Sequence, residues 1–148
     1  MGKSDPVPFE IRLATNDDLG FIISAWLGLR HRTHPNGFAL DFAEHEKPRI
    51  KARLDASIAL VAHLEGHHNE LLGCLVYGSF MGTLVLHFAS VKVDAREQGI
   101  FASMLRFAQG DKPSPVVLTT PARSDEAMTR LCKRFIFDPS ILDVMGAT

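Results

Sequence analysis

Val91-Lys92-Val93-Asp94-Ala95-Arg96-Glu97-Gln98-Gly99-Ile100-Phe101-Ala102-Ser103-Met104-Leu105 carries three signals in succession. An apolar strand runs into a charged turn that contains a glycine. The turn then opens an amphipathic helix, with Ile100, Met104, Leu105 and Ala108 on one face. A strand–turn–helix of this kind points the amide N–H groups of the first helical turn outward, where an anion such as a pyrophosphate can sit.

Elements upstream of this stretch follow from periodicity. Phe9-Glu10-Ile11-Arg12-Leu13 alternates with period two and reads as a strand. Thr15 or Asn16 is a candidate N-cap, and Asp17 and Asp18 suit the positive end of a helix dipole. Leu19, Ile22, Ile23, Trp26, Leu27 and Arg30 then form a 3.6-residue stripe. A loop is expected from Arg30 to Leu40. A second helix is expected from about Phe42 to Ala56, thinly apolar at Ile50 and Leu54, with Pro48 interrupting it or marking its start. A meander follows: strands at Ile58–Leu64, Leu71–Phe80 and Thr83–Val93, with turns at Gly66–Asn69 and Met81-Gly82.

The helix after the quoted turn is expected from about Gln98 to Gln109, closed by Gly110. Pro115–Thr120 reads as a buried central strand and Ser124–Arg134 as a helix capped by Ser124; the tail from Phe135 adds one irregular strand. The order β-α-α-β-β-β-α-β-α-tail starts antiparallel and ends in a β-α-β unit that requires parallel pairing. The expected fold class is therefore mixed α+β, one sheet with helices on both faces, in a single domain spanning residues 1–148.

Composition excludes some classes of function. The chain is 46% hydrophobic and 22% charged with a formal net charge of −1, so no global basic character advertises nucleic acid. Cys74 and Cys132 lack Cys-x-x-Cys spacing and read as reduced thiols. Residues Met1–Pro8 are polar, and no apolar run approaches the ~20 residues that span a bilayer. A cytoplasmic protein without membrane contact is expected.

The quoted run resembles the acyl-coenzyme A signature of the GNAT superfamily of N-acyltransferases, Arg/Gln-x-x-Gly-x-Gly/Ala after a strand. Arg96-x-x-Gly99 fits it, and Phe101 stands where it has Gly or Ala. The opening Ile11–Leu19 and the strand Leu84–Val93 look like the same superfamily. Phe21-Ile22-x-Ser24-x-Trp26-Leu27 and Phe137-x-Pro139 resemble small bacteriophage-encoded GNAT-type proteins related to the Mom DNA-modification enzyme. The resemblance implies a GNAT-like sheet, acetyl-CoA or another acyl-CoA as cofactor, and acyl transfer to an amine. Main-chain groups around Val91, Lys92 and Val93 would pair with pantetheine amides. The N–H groups of Gln98, Gly99, Ile100, Phe101 and Ala102 would cradle the pyrophosphate beside Arg96, and the gap between the strands of Lys92 and Val116 would admit the thioester. Members of the superfamily often carry a tyrosine acid in the last helix; the only tyrosine here is Tyr77. Tyr77 and His87 are the candidate catalytic residues, His87 as a base poised near neutrality. Phe101, the missing tyrosine and the short tail also motivate a second reading, a non-catalytic binding module such as a phage protein that engages a host factor.

The acceptor side is read from charge. Arg30, His31, Arg32 and His34 form a cationic run that Arg49, Lys51 and Arg53 could extend, suited to an anionic acceptor such as a nucleotide or DNA. Asp41, Glu44, His45 and Glu46 read as surface ion pairs, with an acceptor-side base as the alternative. Glu65, His67, His68, Asn69 and Glu70 match no standard zinc spacing and read as a solvated hairpin turn, so no metal is expected. A homodimer is left open.

Overall fold

The computed structural model describes residues 8–33, 41–110, 116–118 and 135–137. Strands β1 (Phe9–Leu13), β2 (Ile58–Leu64), β3 (His67–Phe80), β4 (Thr83–Val91), β5 (Val116–Leu118) and β6 (Phe135–Phe137) make one sheet in the spatial order β1-β2-β3-β4-β5-β6. Pairing is antiparallel from β1 to β4 and parallel from β4 to β6. The helices are α1 (Leu19–Thr33), α2 (Phe42–Asp55) and α3 (Ile100–Gln109). α3 supplies the crossover that the parallel β4–β5 pair requires. The mixed α+β class expected from the sequence is the one found.

The sheet separates two apolar cores. On one face Ile100, Met104 and Leu105 of α3 pack against Leu60, Leu75, Leu86, Val116 and Leu118. On the other, Ile22 and Trp26 of α1 and Ile50 and Leu54 of α2 cover Val61, Cys74, Val76 and Phe88. Trp26 stacks on Phe88, ring centroids 5.2 Å apart and nearly coplanar at 3°. Burial pushes the Cys74 thiol up to about 12.

One irregularity in β4 positions the chemistry. Val76 pairs with Phe88 but Tyr77 pairs with Leu86, so His87 is an extra residue in the ladder. Leu84 and Leu86 face the α3 core, Phe88 faces the α1–α2 core, and Ala89 and Val91 return to the α3 side. The bulge thus turns His87 and Phe88 together toward α1 and α2. Farther along, Gly73 of β3 faces Val91. A Cβ on Gly73 would lie 2.8 Å from the carbonyl oxygen of Ser90, so only glycine allows β3 this close to the end of β4.

Several sequence expectations are corrected. The β2–β3 turn takes only Glu65-Gly66, so His67, His68 and Asn69 belong to β3 and not to a turn; the pairing slips on both sides of His63. Arg30 to Thr33 continue α1, since basic residues suit a helix C-terminus, and the loop begins later. α2 runs unbroken through Pro48. Proline cannot bond the carbonyl of Glu44, but both residues are exposed and water can take that carbonyl. β4 stops at Val91, before a single 3-10 turn at Val93–Ala95. α3 begins at Ile100 because Glu97 and Gly99 have positive φ, 66° and 79°. His34 and the expected helix Ser124–Arg134 lie outside the described residues.

The entry to α1 is held by charge. Asp18 is buried and accepts hydrogen bonds from both Nη atoms of Arg12 at 2.6 and 3.0 Å, from the Thr15 amide at 2.7 Å and from its hydroxyl at 3.1 Å. Arg12 also donates to the carbonyl of His68 at 3.0 Å, which ties β1, this turn and β3 together. Burial alone would raise the Asp18 carboxyl, but the bonds from Arg12 and Thr15 outweigh it and hold the group below its ordinary range. That contribution is complete above the unfolded pKa and is lost as pH falls through the lower folded value. Asp18→Asn is expected to lose about 2–3 kcal/mol at neutral pH and to flatten the acid limb below pH ~4, both read by urea unfolding. Gly73→Ala must displace Ser90 and should cost about 1–3 kcal/mol in the same assay; an unchanged midpoint would mean that the two strands part freely.

Candidate active site

The end of β4 and the start of α3 are locked by local bonds. The Lys92 amide donates to the carbonyl of Leu72 at 2.8 Å, and Arg96 Nε–H donates to the carbonyl of Val91 at 3.0 Å. The Lys92 bond continues the pairing with β3, and the Arg96 bond takes the Val91 carbonyl on the other side of the strand. They also fix the Arg96 guanidinium beside the turn, with one of its five N–H donors engaged. Gly99 is the N-cap of α3, and the space around its Cα is open on the side where a Cβ would stand. The first intrahelical amide bond runs from Ser103 to Gly99 at 2.9 Å. The amides of Ile100, Phe101 and Ala102 therefore have no acceptor within the helix. The Phe101 side chain is half-buried against the α3-side core. Among the described residues β5 pairs with β4 only at Leu84–Leu86, so the last five residues of β4 extend past that pairing. Guanidinium, open amides and an uncrowded left-handed turn are a donor set that fits a pyrophosphate.

The two catalytic candidates are not brought together. Tyr77 packs toward the α3 core, and burial raises its phenol above the ordinary value. His87 faces α2 on the other side of the sheet, as alternation after the α3-facing Leu86 dictates. Burial, and then the positive charge of Arg53, push His87 down to about 4. His87 is therefore a neutral imidazole at neutral pH, not the near-neutral switch expected from its residue type.

The acceptor side is also rearranged. Arg30, His31 and Arg32 do not share one surface: Arg30 leans toward Glu46, the His31 ring packs on Phe42 at 4.8 Å, and Arg32 is exposed. Asp41 and His45 do make an exposed pair at 3.1 Å. Glu46 is the correction: its side chain is only 4% exposed. Its oxygens lie 3.8 Å from Arg49 Nη1 and 4.0 Å from Arg30 Nη1, too far for hydrogen bonds. Burial, then the nearby charge of Arg30, lower the pKa of Arg53. The row Phe42, Glu46, Ile50, Leu54 has i+4 spacing, which was the signal that Glu46 sits on the apolar face of α2.

An open groove of about 560 Å³ lies elsewhere, lined by Leu13, Thr15, Asn16, Leu54, Asp55 and Ile58. It is at the opposite end of the strands from the Val91–Gly99 turn and is lined by none of the candidate catalytic or coenzyme-binding residues. No helix among the described residues is long and apolar enough to cross a membrane.

No protein-family profile and no curated protein matches the chain. Solved structures do. A GCN5-related N-acetyltransferase from Rhodopseudomonas palustris superposes with a TM-score of 0.59 at 13% identity, covering 87% of this chain and 83% of that one. A possible acetyltransferase from Clostridium difficile 630 gives 0.57 at 18% identity, over 88% and 93% of the two chains. A GNAT family acetyltransferase from Brucella melitensis in complex with acetyl-CoA gives 0.52 at 19% identity, over 81% and 80%. Sheet order, the antiparallel-to-parallel change at β4 and these superpositions agree: the chain has the GNAT fold.

Proposed function

We propose that the protein is an acyl-CoA-dependent N-acyltransferase. The observation that carries this reading is the turn between β4 and α3, where Arg96, the left-handed Gly99 and three amides with no acceptor in the helix converge just past the end of β4. Bound there, the coenzyme would supply a thioester carbonyl for attack by an amine. The amides of Ile100, Phe101 and Ala102, with Arg96, would hold its pyrophosphate, and Gly99 would keep the approach free of a side chain. Val91, Lys92, Val93 and Gln98 would flank the pantetheine arm. On the acceptor face, neutral His87 would accept a hydrogen bond or a proton from the amine. Tyr77, protonated at neutral pH, would donate from the α3 face. The acceptor is an amine; the nucleotide or DNA version rests only on the cationic run and the phage resemblance.

Calorimetry with acetyl-CoA tests the reading directly: saturable heat is expected, and none at millimolar concentration would leave the binding-module alternative. Gly99→Ala is expected to weaken binding by about tenfold, because its Cβ would stand in the open space left for the coenzyme. An unaltered affinity would remove the turn from the site. His87 makes a second prediction. Between its unfolded pKa and about 4 the unfolded chain binds the extra proton, so stability falls as pH drops through that window. His87→Gln should remove a slope worth on the order of 3 kcal/mol across it, read by urea unfolding at a series of pH values.

A further inference from the structure

Four shielded polar atoms without hydrogen-bond partners come from three neighbouring side chains of α1 and α2 and from Trp26: Trp26 Nε1, Arg30 Nε, Glu46 Oε2 and Arg53 Nη1. Trp26 and Arg30 are four residues apart on α1, and Glu46 and Arg53 seven apart on α2, so each pair shares one helix face. The two helices meet at the Arg30–Glu46 approach of 4.0 Å, and Trp26 lies on Phe88 beside the bulged His87. Buried polar groups are normally satisfied, and each that is not costs about 1–3 kcal/mol. One shielded acceptor and three shielded donors at a single junction are a built arrangement that lacks its counterpart.

We infer that the junction of α1, α2 and β4 is an acceptor subsite for a small amine bearing a neighbouring anionic group, with the anion held by Arg30 and Arg53 and the amine by Glu46. The inference rests on the acyltransferase reading above and narrows its acceptor. Two guanidiniums against one carboxyl leave an excess of positive charge, which favours an oxyanion. Arg30 and Arg53 are half-buried, while Glu46 and Trp26 are buried. A buried carboxyl repels a polyanion and accepts from an ammonium or amine. A double helix cannot reach a group this buried, so a small molecule fits better than DNA. Carboxylate and phosphate share the oxyanion chemistry that the guanidiniums recognise.

Trp26 is the chain's only tryptophan, so its indole N–H gives a single resonance at the site. The full chain is titrated with glycine, phosphoethanolamine and ethanolamine, with and without coenzyme A, while that resonance is followed by NMR. A saturable shift is expected with glycine, phosphoethanolamine or both, the tighter of the two naming the anion, and binding of ethanolamine about tenfold weaker. Arg53→Gln and Arg30→Gln should abolish the preference for an anion, and Glu46→Gln should weaken all three amines. Coenzyme affinity, measured by calorimetry on the same samples, should stay within about twofold of the parent. An indole resonance that ignores every probe, or ethanolamine binding as well as the others, overturns the subsite and means that water alone satisfies these atoms. A shift in a chain that binds no coenzyme keeps the subsite and overturns the acyltransferase reading instead.

Discussion

A single extra residue in β4 decides which groups can meet. Without His87 in the ladder, strand alternation would carry Phe88 to the α3 side and Ala89 to the other. The bulge resets the period, so the first half of β4 packs its large residues on α3 while Phe88 packs on Trp26. Both cores depend on that reset. Regular pairing would have left His87 on the α1–α2 side, where burial and Arg53 keep its imidazole neutral, but would have sent Phe88, the stacking partner of Trp26, into the α3 core.

The second constraint is the close approach of β3 to the end of β4. Gly73 lets the two backbones converge, Lys92 donates back to Leu72, and Arg96 closes over the carbonyl of Val91. These contacts aim the strand end before the chain turns at Glu97 and Gly99. β5 stops pairing at Leu86, so the two parallel strands share only the early part of their length among the described residues. The end of β4 and the start of α3 are thereby held in one unit.

Periodicity carried most of the fold. The stripe from Leu19 to Arg30, the alternation of Phe9–Leu13 and the apolar run at Val116 each obey one local rule, and each became the expected element. What stayed hidden depends on partners distant in sequence. No local pattern distinguishes His87 as a bulge residue, since the slip is defined against Val76 and Tyr77. His67–Asn69 read as a turn because polar residues usually do, yet they extend β3: His67 pairs with Leu64, and His68 lends a carbonyl to Arg12. The turn proposed for the coenzyme was legible because its chemistry lies in consecutive residues, Arg96 to Ala102. The proposed acceptor face was not, because Trp26, Glu46, Arg53 and His87 come from three elements; only the i+4 row through Glu46 hinted at it.

Cys74 lies beneath α1 and α2 with its thiol raised to about 12. A thiol so protonated and enclosed is a poor nucleophile. Chromogenic disulfide reagents that measure a liberated small-molecule thiol would therefore leave Cys74 untouched in the folded chain. The same reagents would reach it once the sheet opens, so this buried thiol doubles as a chemical clock for opening of that core.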